Sequence, residues 1–331
     1  MKALRSHGPG GPETLTLDDV GLPEPGPGQV RVRVAACAIN FPDTLIIRDL
    51  YQFKPQRPFA PGGEVAGVVD SLGDGVSDWQ LGERVIAMCG WNGLAEAVVV
   101  PSGKLHRIPE GVSDAAAASL LLTYGTTIHA LRDRGHLKAG ETLLVLGAAG
   151  GVGLSAIELG KASGARVVAA VSSEEKAQAA REAGADEVVI YARPPFDRDQ
   201  SRALADQFKK ACGPGGANVV YDIVGGDYSE PALRAIAWQG RFLVVGFPAG
   251  IAKMPLNLTL LKSCDICGVF WGAFVEREPV RFAAQVDELF ALLLQGRIKP
   301  RIMQVLPLDR GGEAIALLEN RQVIGKIVVK P

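Results

Sequence analysis

The stretch that most constrains this chain is TLLVLGAAGGVGLSAIELG, residues 142–160. An apolar run with the character of a strand meets a glycine-rich turn and then a helix-forming segment. Within it stands the pattern Ala148-x-Gly150-x-x-Gly153. In a strand–turn–helix setting this spacing describes a phosphate cradle. The glycine at 150 lets backbone come close to a pyrophosphate, and the one at 153 lets the helix pack tightly on the strand. The first N–H groups of the helix and the positive end of its dipole then face the anion. The candidate contacts are Ala149, Gly150, Gly151 and Val152.

The rest of the chain supplies the context that this turn requires. After TLLVLG come ARVVAAV, DEVVIY, ANVVYDIVG, GRFLVVGF and CDICGVFWG, with helical segments such as SEEKAQAAREAG between them. Continuous Val/Ile/Leu runs alternating with helices predict a parallel sheet covered on both faces. Six such strands make a complete Rossmann dinucleotide-binding fold. The preceding 110 residues read differently. QVRVRVAACAI alternates, with Val30, Val32 and Val34 on one face and Arg31 and Arg33 on the other. GEVAGVVDSLG, ERVIAM and AEAVVVP follow as short strands between Gly and Pro punctuation, which predicts a loop-rich β domain. Ser113 is positioned to cap a helix. Beyond Gly272 one long helical stretch, PVRFAAQVDELFALLLQG, a short helix and a last strand are expected to return to the first domain without forming another βα series.

The strand after the glycine turn selects the dinucleotide. NAD-binding folds place a carboxylate about 20 residues on, against the ribose hydroxyls. Here Ser172 and Ser173 stand at that place and Lys176 follows one turn later. Two hydroxyls and an ammonium attract a 2′-phosphate, whereas a carboxylate repels it, so NADP(H) is the expected cofactor. Glu174 and Glu175 can face solvent at the helix start, where acids are favoured. Tyr191, at the end of the third strand, can also reach the phosphate. Taken alone, Lys176 is also what a solvated helix would carry.

Composition excludes other classes. Of 331 residues, 47% are hydrophobic and 21% charged, and the formal net charge is −1. A core of this size needs no disulfides, and the five cysteines read as free thiols. Cys264 and Cys267 form a single C-x-x-C inside a strand-like segment, without the second pair of a zinc site. The absence of a basic cluster argues against nucleic acid. The N-terminal segment has no apolar leader core. The longest apolar run, from Ala115, is too short to span a bilayer. These readings predict a cytoplasmic protein.

The β domain, LTYGTTIHAL, LGAAGGVGLSAIELGKASGARVVA and a final GKIVVKP together resemble the medium-chain dehydrogenase/reductase superfamily over essentially the whole chain. The resemblance implies a GroES-like catalytic domain over residues 1–122 and 268–331, and a Rossmann NADP(H)-binding domain over 123–267. Zinc alcohol dehydrogenases of this superfamily carry metal ligands in C-H-x-D and G-H-E segments. The matching segments here are Asn40-Phe41-Pro42-Asp43 and Gly62-Gly63-Glu64. Asn and Gly bind zinc poorly or not at all, and His7, His106, His129 and His136 show no ligand spacing, so no metal is expected. AINFPDTLIIRDLY followed by PFAPGGEVAGVV is similar to the zinc-free quinone oxidoreductase, or zeta-crystallin-like, group.

Carried over to this sequence, the resemblance places Asn40 and Asp43 beside the nicotinamide and Tyr51 at the site mouth. It assigns Thr126 to the cofactor, and Lys176 and Tyr191 to its 2′-phosphate. Gly246, Phe247, Phe270, Trp271 and Gly272 flank the nicotinamide, and Lys326 is a late contact. Leu45 departs from relatives that carry Tyr, which makes the pocket more apolar.

Without a Lewis acid, hydride must go to an acceptor that is already electrophilic: a quinone, or a double bond conjugated to a carbonyl. The second needs a proton delivered to carbon, and Tyr51 is the candidate acid; it also reads as a loop aromatic that closes the pocket. Asn40 reads equally as a turn residue, Asp43 as a cap of TLIIRDL, and Arg48 as a helix surface residue. The competing class, also implied by the resemblance, is an NADPH-binding protein that interacts with RNA or serves a structural role, as in the lens; the net charge of −1 and the lack of basic clusters weigh against RNA. The sixth strand, residues 265–272, lies at a sheet edge. Exposed edges are usually covered, and the resemblance implies a homodimer paired there.

Overall fold

The computed structural model describes all residues from Met1 to Pro331. In chain order the first part holds strands β1 (Lys2–Arg5), β2 (Thr16–Asp19) and β3 (Gln29–Ala38), helix α1 (Phe41–Ile46), strands β4 (Glu64–Leu72), β5 (Arg84–Met88), β6 (Ala97–Pro101) and β7 (Leu105–Arg107), and helix α2 (Asp114–Ala118). A continuous helical stretch follows. Its α-helical turn, α3 (Thr126–Ile128), lies between wider π-type turns at Leu121–Gly125 and His129–Arg134. Next come β8 (Thr142–Leu146), α4 (Gly151–Ala162), β9 (Arg166–Val171), α5 (Glu174–Glu182), β10 (Glu187–Ile190), α6 (Arg198–Cys212), β11 (Ala217–Asp222), α7 (Ser229–Arg234), β12 (Ile236–Val244), α8 (Asn257–Lys262) and β13 (Asp265–Gly268). The chain ends with α9 (Trp271–Arg277), α10 (Pro279–Leu294), β14 (Ile302–Pro307), α11 (Gly311–Glu319) and β15 (Lys326–Lys330).

Two compact units result. The first contains Met1–Leu122, Val286–Leu294 and Pro300–Pro331; the second contains Thr123–Gln285 and Gln295–Lys299. The expected boundary at 268 is displaced to 285/286, inside α10. The reason is packing: Trp271 lies against Gly125 and His129 stacks on Phe274 at 4.1 Å, so α9 belongs with the second unit.

In the first unit a seven-stranded sheet runs β14-β15-β3-β4-β5-β7, with β6 paired to β3. The alternation in β3 is realised, since Val30 and Val32 are fully buried and Val34 nearly so. Arg31 turns to the other face, where it pairs with Asp70 at 2.8 Å. The C-terminal segment corrects one expectation. β14 and β15 are parallel neighbours joined through α11, so the chain does close with one more β–α–β crossover. Gln304 interrupts the apolar residues of β14 and hides it from a search for continuous apolar runs. Antiparallel pairing of β15 with β3, through Val328 with Ala38 and Val329 with Cys37, carries the C-terminus into the first unit's core.

In the second unit six strands run β10-β9-β8-β11-β12-β13, all parallel. Leu143 to Leu146 on β8 are fully buried, as a strand covered on both faces requires. The order reverses between β8 and β11, and open α/β sheets bind ligands at that switch point.

Several polar groups inside this unit went unread in the sequence. Thr127 Oγ1 lies 2.7 Å from Ser155 Oγ and 2.9 Å from Tyr221 Oη, tying α3 to α4 and β11. Glu158 on α4 accepts from the Tyr124 hydroxyl at 2.7 Å and from the Lys299 N–H at 2.9 Å. Burial pushes the Glu158 carboxyl up to about 7, against the opposing pull of these two donors and the Lys299 charge. The native state therefore holds this proton between about pH 4.5 and 7, where the unfolded chain releases it, and this contribution to stability falls as pH rises through that window. Gln keeps the acceptor and removes the titration. Glu158→Gln should flatten the decline in unfolding free energy from pH 5 to 7 by on the order of 2 kcal/mol. Urea unfolding at three pH values checks this, and parallel profiles for the two proteins would refute it.

Candidate active site

The glycine turn leaves β8 at Gly147, whose φ of +68° suits a residue without a side chain. A Cβ on Gly153 would sit 2.3 Å from the Gly147 carbonyl oxygen, so α4 can lie this close to the turn only with glycine there. At Gly150 the situation is the reverse. A Cβ would meet nothing nearer than Gly147 O at 3.9 Å, so this backbone faces open space. No side chain caps α4 at its N-cap, Gly150. The first-turn N–H groups, around Gly151 and Val152, are therefore free of a side-chain acceptor, which is the condition for holding an anion.

Neighbouring loops complete the cradle. Asp222, buried at the end of β11, accepts from Val224 N–H and Gly225 N–H at 2.8 Å each and from Ser229 Oγ at 2.5 Å. It thereby fixes the loop that touches Gly147 through Val224. At the end of β9, Ser172 and Ser173 are half-buried, Ser173 caps α5 by accepting from Lys176 N–H, and Lys176 Nζ lies 3.4 Å from Ser172 Oγ. Glu174 and Glu175 are exposed on the first turn of α5, and Glu174 pairs with Arg181. Tyr191 is buried and packs on Tyr228 with ring centroids 4.6 Å apart. These donors and this open backbone fit a phosphorylated dinucleotide.

The remaining cofactor candidates occupy varied environments. Thr126 is half-buried on α3, beside the buried Thr127. Gly246 is half-buried after β12, and Phe247 is 59% exposed. Phe270 is 59% exposed, Gly272 is exposed, and Trp271 is buried over Gly125.

In the first unit, Asn40, Asp43 and Lys326 converge. Asn40 is the N-cap residue of α1, and Asp43, within the first turn, takes the Asn40 N–H at 2.8 Å. Asp43 thus caps from inside the helix, not ahead of it, because α1 begins at Phe41. Its other oxygen accepts from Gly62 N–H at 2.8 Å. The Asn40 amide donates to the Ala38 carbonyl at 3.2 Å and to Glu64 Oε2 at 3.0 Å, and its oxygen accepts from Lys326 Nζ. Burial pushes the Asp43 carboxyl up to about 6, opposed by the Asn40 and Gly62 N–H donors and the Lys326 charge. Tyr51 is half-buried against this unit's core and meets Phe53 edge-on at 5.8 Å; burial and then the Asp43 charge raise its phenol. Arg48 is no simple surface residue, since both of its bonds go to the Glu319 carboxylate at 3.0 Å.

Around this cluster stand the positions that carry zinc ligands in the alcohol dehydrogenases. Asn40 and Gly63 occupy them, the Lys326 ammonium lies 4.0 Å from Glu64, and no three His, Cys, Asp or Glu side chains are grouped to hold a metal. The Asn40 amide and Gly63 are not the ligand types that zinc takes.

Comparison with known proteins agrees with this geometry. The alcohol dehydrogenase GroES-like domain matches residues 26–110, and the family described as zinc-binding dehydrogenase matches residues 151–289. Quinone oxidoreductase-like protein 2 of Bos taurus is 38% identical over 317 residues, covering 95% of this chain and 88% of that protein. Quinone oxidoreductase of Pseudomonas aeruginosa is 36% identical over 326 residues, covering 97% of each. The crystal structure of Escherichia coli quinone oxidoreductase complexed with NADPH matches with a TM-score of 0.90 at 29% identity, covering 100% of both chains. No helix of the chain is long and apolar enough to cross a membrane. With a parallel six-stranded sheet opening on a glycine cradle, a GroES-like β unit and relatives this similar over nearly their full lengths, the chain belongs to the quinone oxidoreductase family of medium-chain dehydrogenases/reductases.

Proposed function

We propose that this protein is an NADP(H)-dependent reductase that passes hydride to a quinone. The observation that carries the reading is the end of β9. Where an NAD-binding fold needs a carboxylate, this chain presents two serine hydroxyls and the Lys176 ammonium next to an uncapped helix N-terminus. In this reading NADPH, when bound, supplies the hydride. The backbone of residues 149–152 holds its pyrophosphate, and Ser172, Ser173, Lys176 and Tyr191 hold its 2′-phosphate. Thr126, Gly246, Phe247, Phe270, Trp271 and Gly272 border the nicotinamide end.

The first unit supplies the acceptor residues, Asn40, Asp43 and Tyr51. A reduced quinone leaves as a phenolate-like anion that water can protonate, so it asks no acid of the protein. A conjugated carbonyl compound demands a proton on carbon. Tyr51 is the candidate donor in this second reading because it is half-buried on the first unit's core and near enough to Asp43 to feel its charge; burial raises its phenol and keeps it a weak acid. Either acceptor is a small molecule.

A homodimer is part of the same proposal. β13 ends the sheet with Ile266 37% exposed, and no residue of the neighbouring α8 is buried; its Leu260 is 79% exposed and Leu261 63%. An unpaired edge beside apolar surface of this kind calls for a cover, and the fit here is a second copy paired along β13.

Three outcomes are expected. Lys176→Glu should weaken NADPH binding about tenfold or more while leaving NADH within about twofold, since it reverses one charge at the 2′-phosphate; fluorescence titration with both nucleotides measures it, and equal losses would sink the assignment. Tyr51→Phe should keep NADPH oxidation by an aromatic quinone within about threefold and lower that by a short enone about a hundredfold. Collapse of the enone reaction alone makes Tyr51 the acid, and loss of both makes it a pocket wall. Wild-type protein should sediment as a dimer, and Ile266→Lys as a monomer; a monomeric wild type at micromolar concentration would refute the pairing.

A further inference from the structure

Lys326 is the one lysine buried in this protein, at 4% exposure. A buried ammonium is costly unless it is paired and hydrogen-bonded, so its surroundings say what it is for. It opens β15, and the pairing of β15 with β3 brings it beside the chain that leaves β3 at Ile39 and Asn40. Nζ donates to the Ile39 carbonyl at 3.0 Å and to Asn40 Oδ1, and stands 4.0 Å from Glu64 Oε2. Glu64 is completely buried at the start of β4 and uses both oxygens: one accepts from Leu122 N–H at 3.1 Å, the other from the Asn40 amide at 3.0 Å. Asn40 in turn has every side-chain hydrogen-bonding atom engaged. Its backbone N–H holds Asp43, and Asp43 also holds Gly62.

Lys326, Glu64 and Asp43 therefore lock five segments together: the end of β3, the first turn of α1, the loop into β4 with its first residue, the helical stretch at Leu122 and the start of β15. The Asn40 amide has no free donor left for a ligand, so its place in the machinery is set by what holds it.

We propose that Lys326 is a positioning residue for the acceptor end of the reaction, its ammonium fixing the Asn40–Asp43 turn of α1 instead of touching the cofactor. This rests on the functional reading above, in which that turn and Tyr51 face the acceptor. The groups around the ammonium are Glu64 on β4, Asp43 on α1 and Cys37 on β3, with Cys89 beyond β5 close to the same carboxylates. Burial raises the Asp43 carboxyl to about 6, raises the Glu64 carboxyl and lowers the Lys326 ammonium. Protonating Asp43 turns one of the two accepting oxygens into a hydroxyl and removes the negative charge, which weakens its hold on Asn40 and Gly62, so turnover should decline as pH falls through about 6. The Lys326 charge pulls the Asp43 value down, so losing that charge moves the decline to higher pH.

The test uses full-length protein with NADPH and 1,4-benzoquinone, comparing wild type, Lys326→Gln and Lys326→Arg. In Lys326→Gln, kcat should fall about tenfold, the NADPH dissociation constant should stay within about twofold, and the acid limb should move up by about one pH unit. Lys326→Arg, which keeps the charge, should retain the wild-type limb. An unshifted limb with only a lower melting temperature would reduce Lys326 to a structural role. A tenfold weaker NADPH affinity with unchanged kcat would make it a cofactor contact. Both results overturn the proposal.

A second measurement needs neither folding of a variant nor turnover. In wild-type protein, carboxyl-carbon NMR should show Asp43 titrating near 6, and nitrogen NMR should show Lys326 as an ammonium at pH 7. A neutral amine there would overturn the proposal. If the wild type oxidised no NADPH with quinone or enone, the functional reading would fail, and the NMR result would decide the ion cluster separately.

Discussion

The second unit depends on one close approach. The Gly147 carbonyl lies 2.3 Å from where a Cβ of Gly153 would be, so the chain can turn from β8 into α4 only without a side chain there. That contact brings the helix down on the sheet and aims its uncapped N-terminus past the strand ends. It also leaves Gly150 open on the outer side, with nothing within 3.9 Å. One glycine is excluded from change by packing, and the other is available for a ligand. The same turn meets Val224 and Ile223 from the β11 loop, so the glycine turn sits where the strand order reverses.

Electrostatics divide the polar interior into two kinds. Thr127, Ser155 and Tyr221 form a neutral network in which hydroxyls satisfy one another, so burial costs little. The Asn40–Asp43–Glu64–Lys326 cluster is charged, and each member depends on the others. Asp43 is held by two backbone N–H groups, Glu64 by a backbone N–H and the Asn40 amide, and Lys326 by a carbonyl and an amide oxygen. Removing one partner from such a set strands the rest as uncompensated buried charge. A cluster of this kind holds its members in a fixed geometry, because displacing one breaks the bonds of several.

The sheet edge is organised differently again. Three of the four residues of β13 are exposed, and the α8 helix beside it buries none. An edge strand in that state invites pairing with any other chain. An edge committed to one partner removes the hazard.

Sequence alone determined the elements whose signal is local. The βα alternation, the glycine spacing and the missing acid after β9 lie in contiguous residues, because backbone geometry and phosphate chemistry act over a few positions. The alternation of β3 and the cap at Ser113 were legible for the same reason. Tertiary structure decided the rest. Gln304 interrupts the apolar residues of β14, so the sequence does not announce it as a strand and its parallel pairing with β15 emerges only from the fold. The partner of Arg48 is Glu319, 271 residues away in sequence. The pairing of β15 with β3 sets Lys326 against Asn40, 286 positions away in sequence. Charges that interact across such separations leave no spacing to read, because what joins them is the register of a sheet.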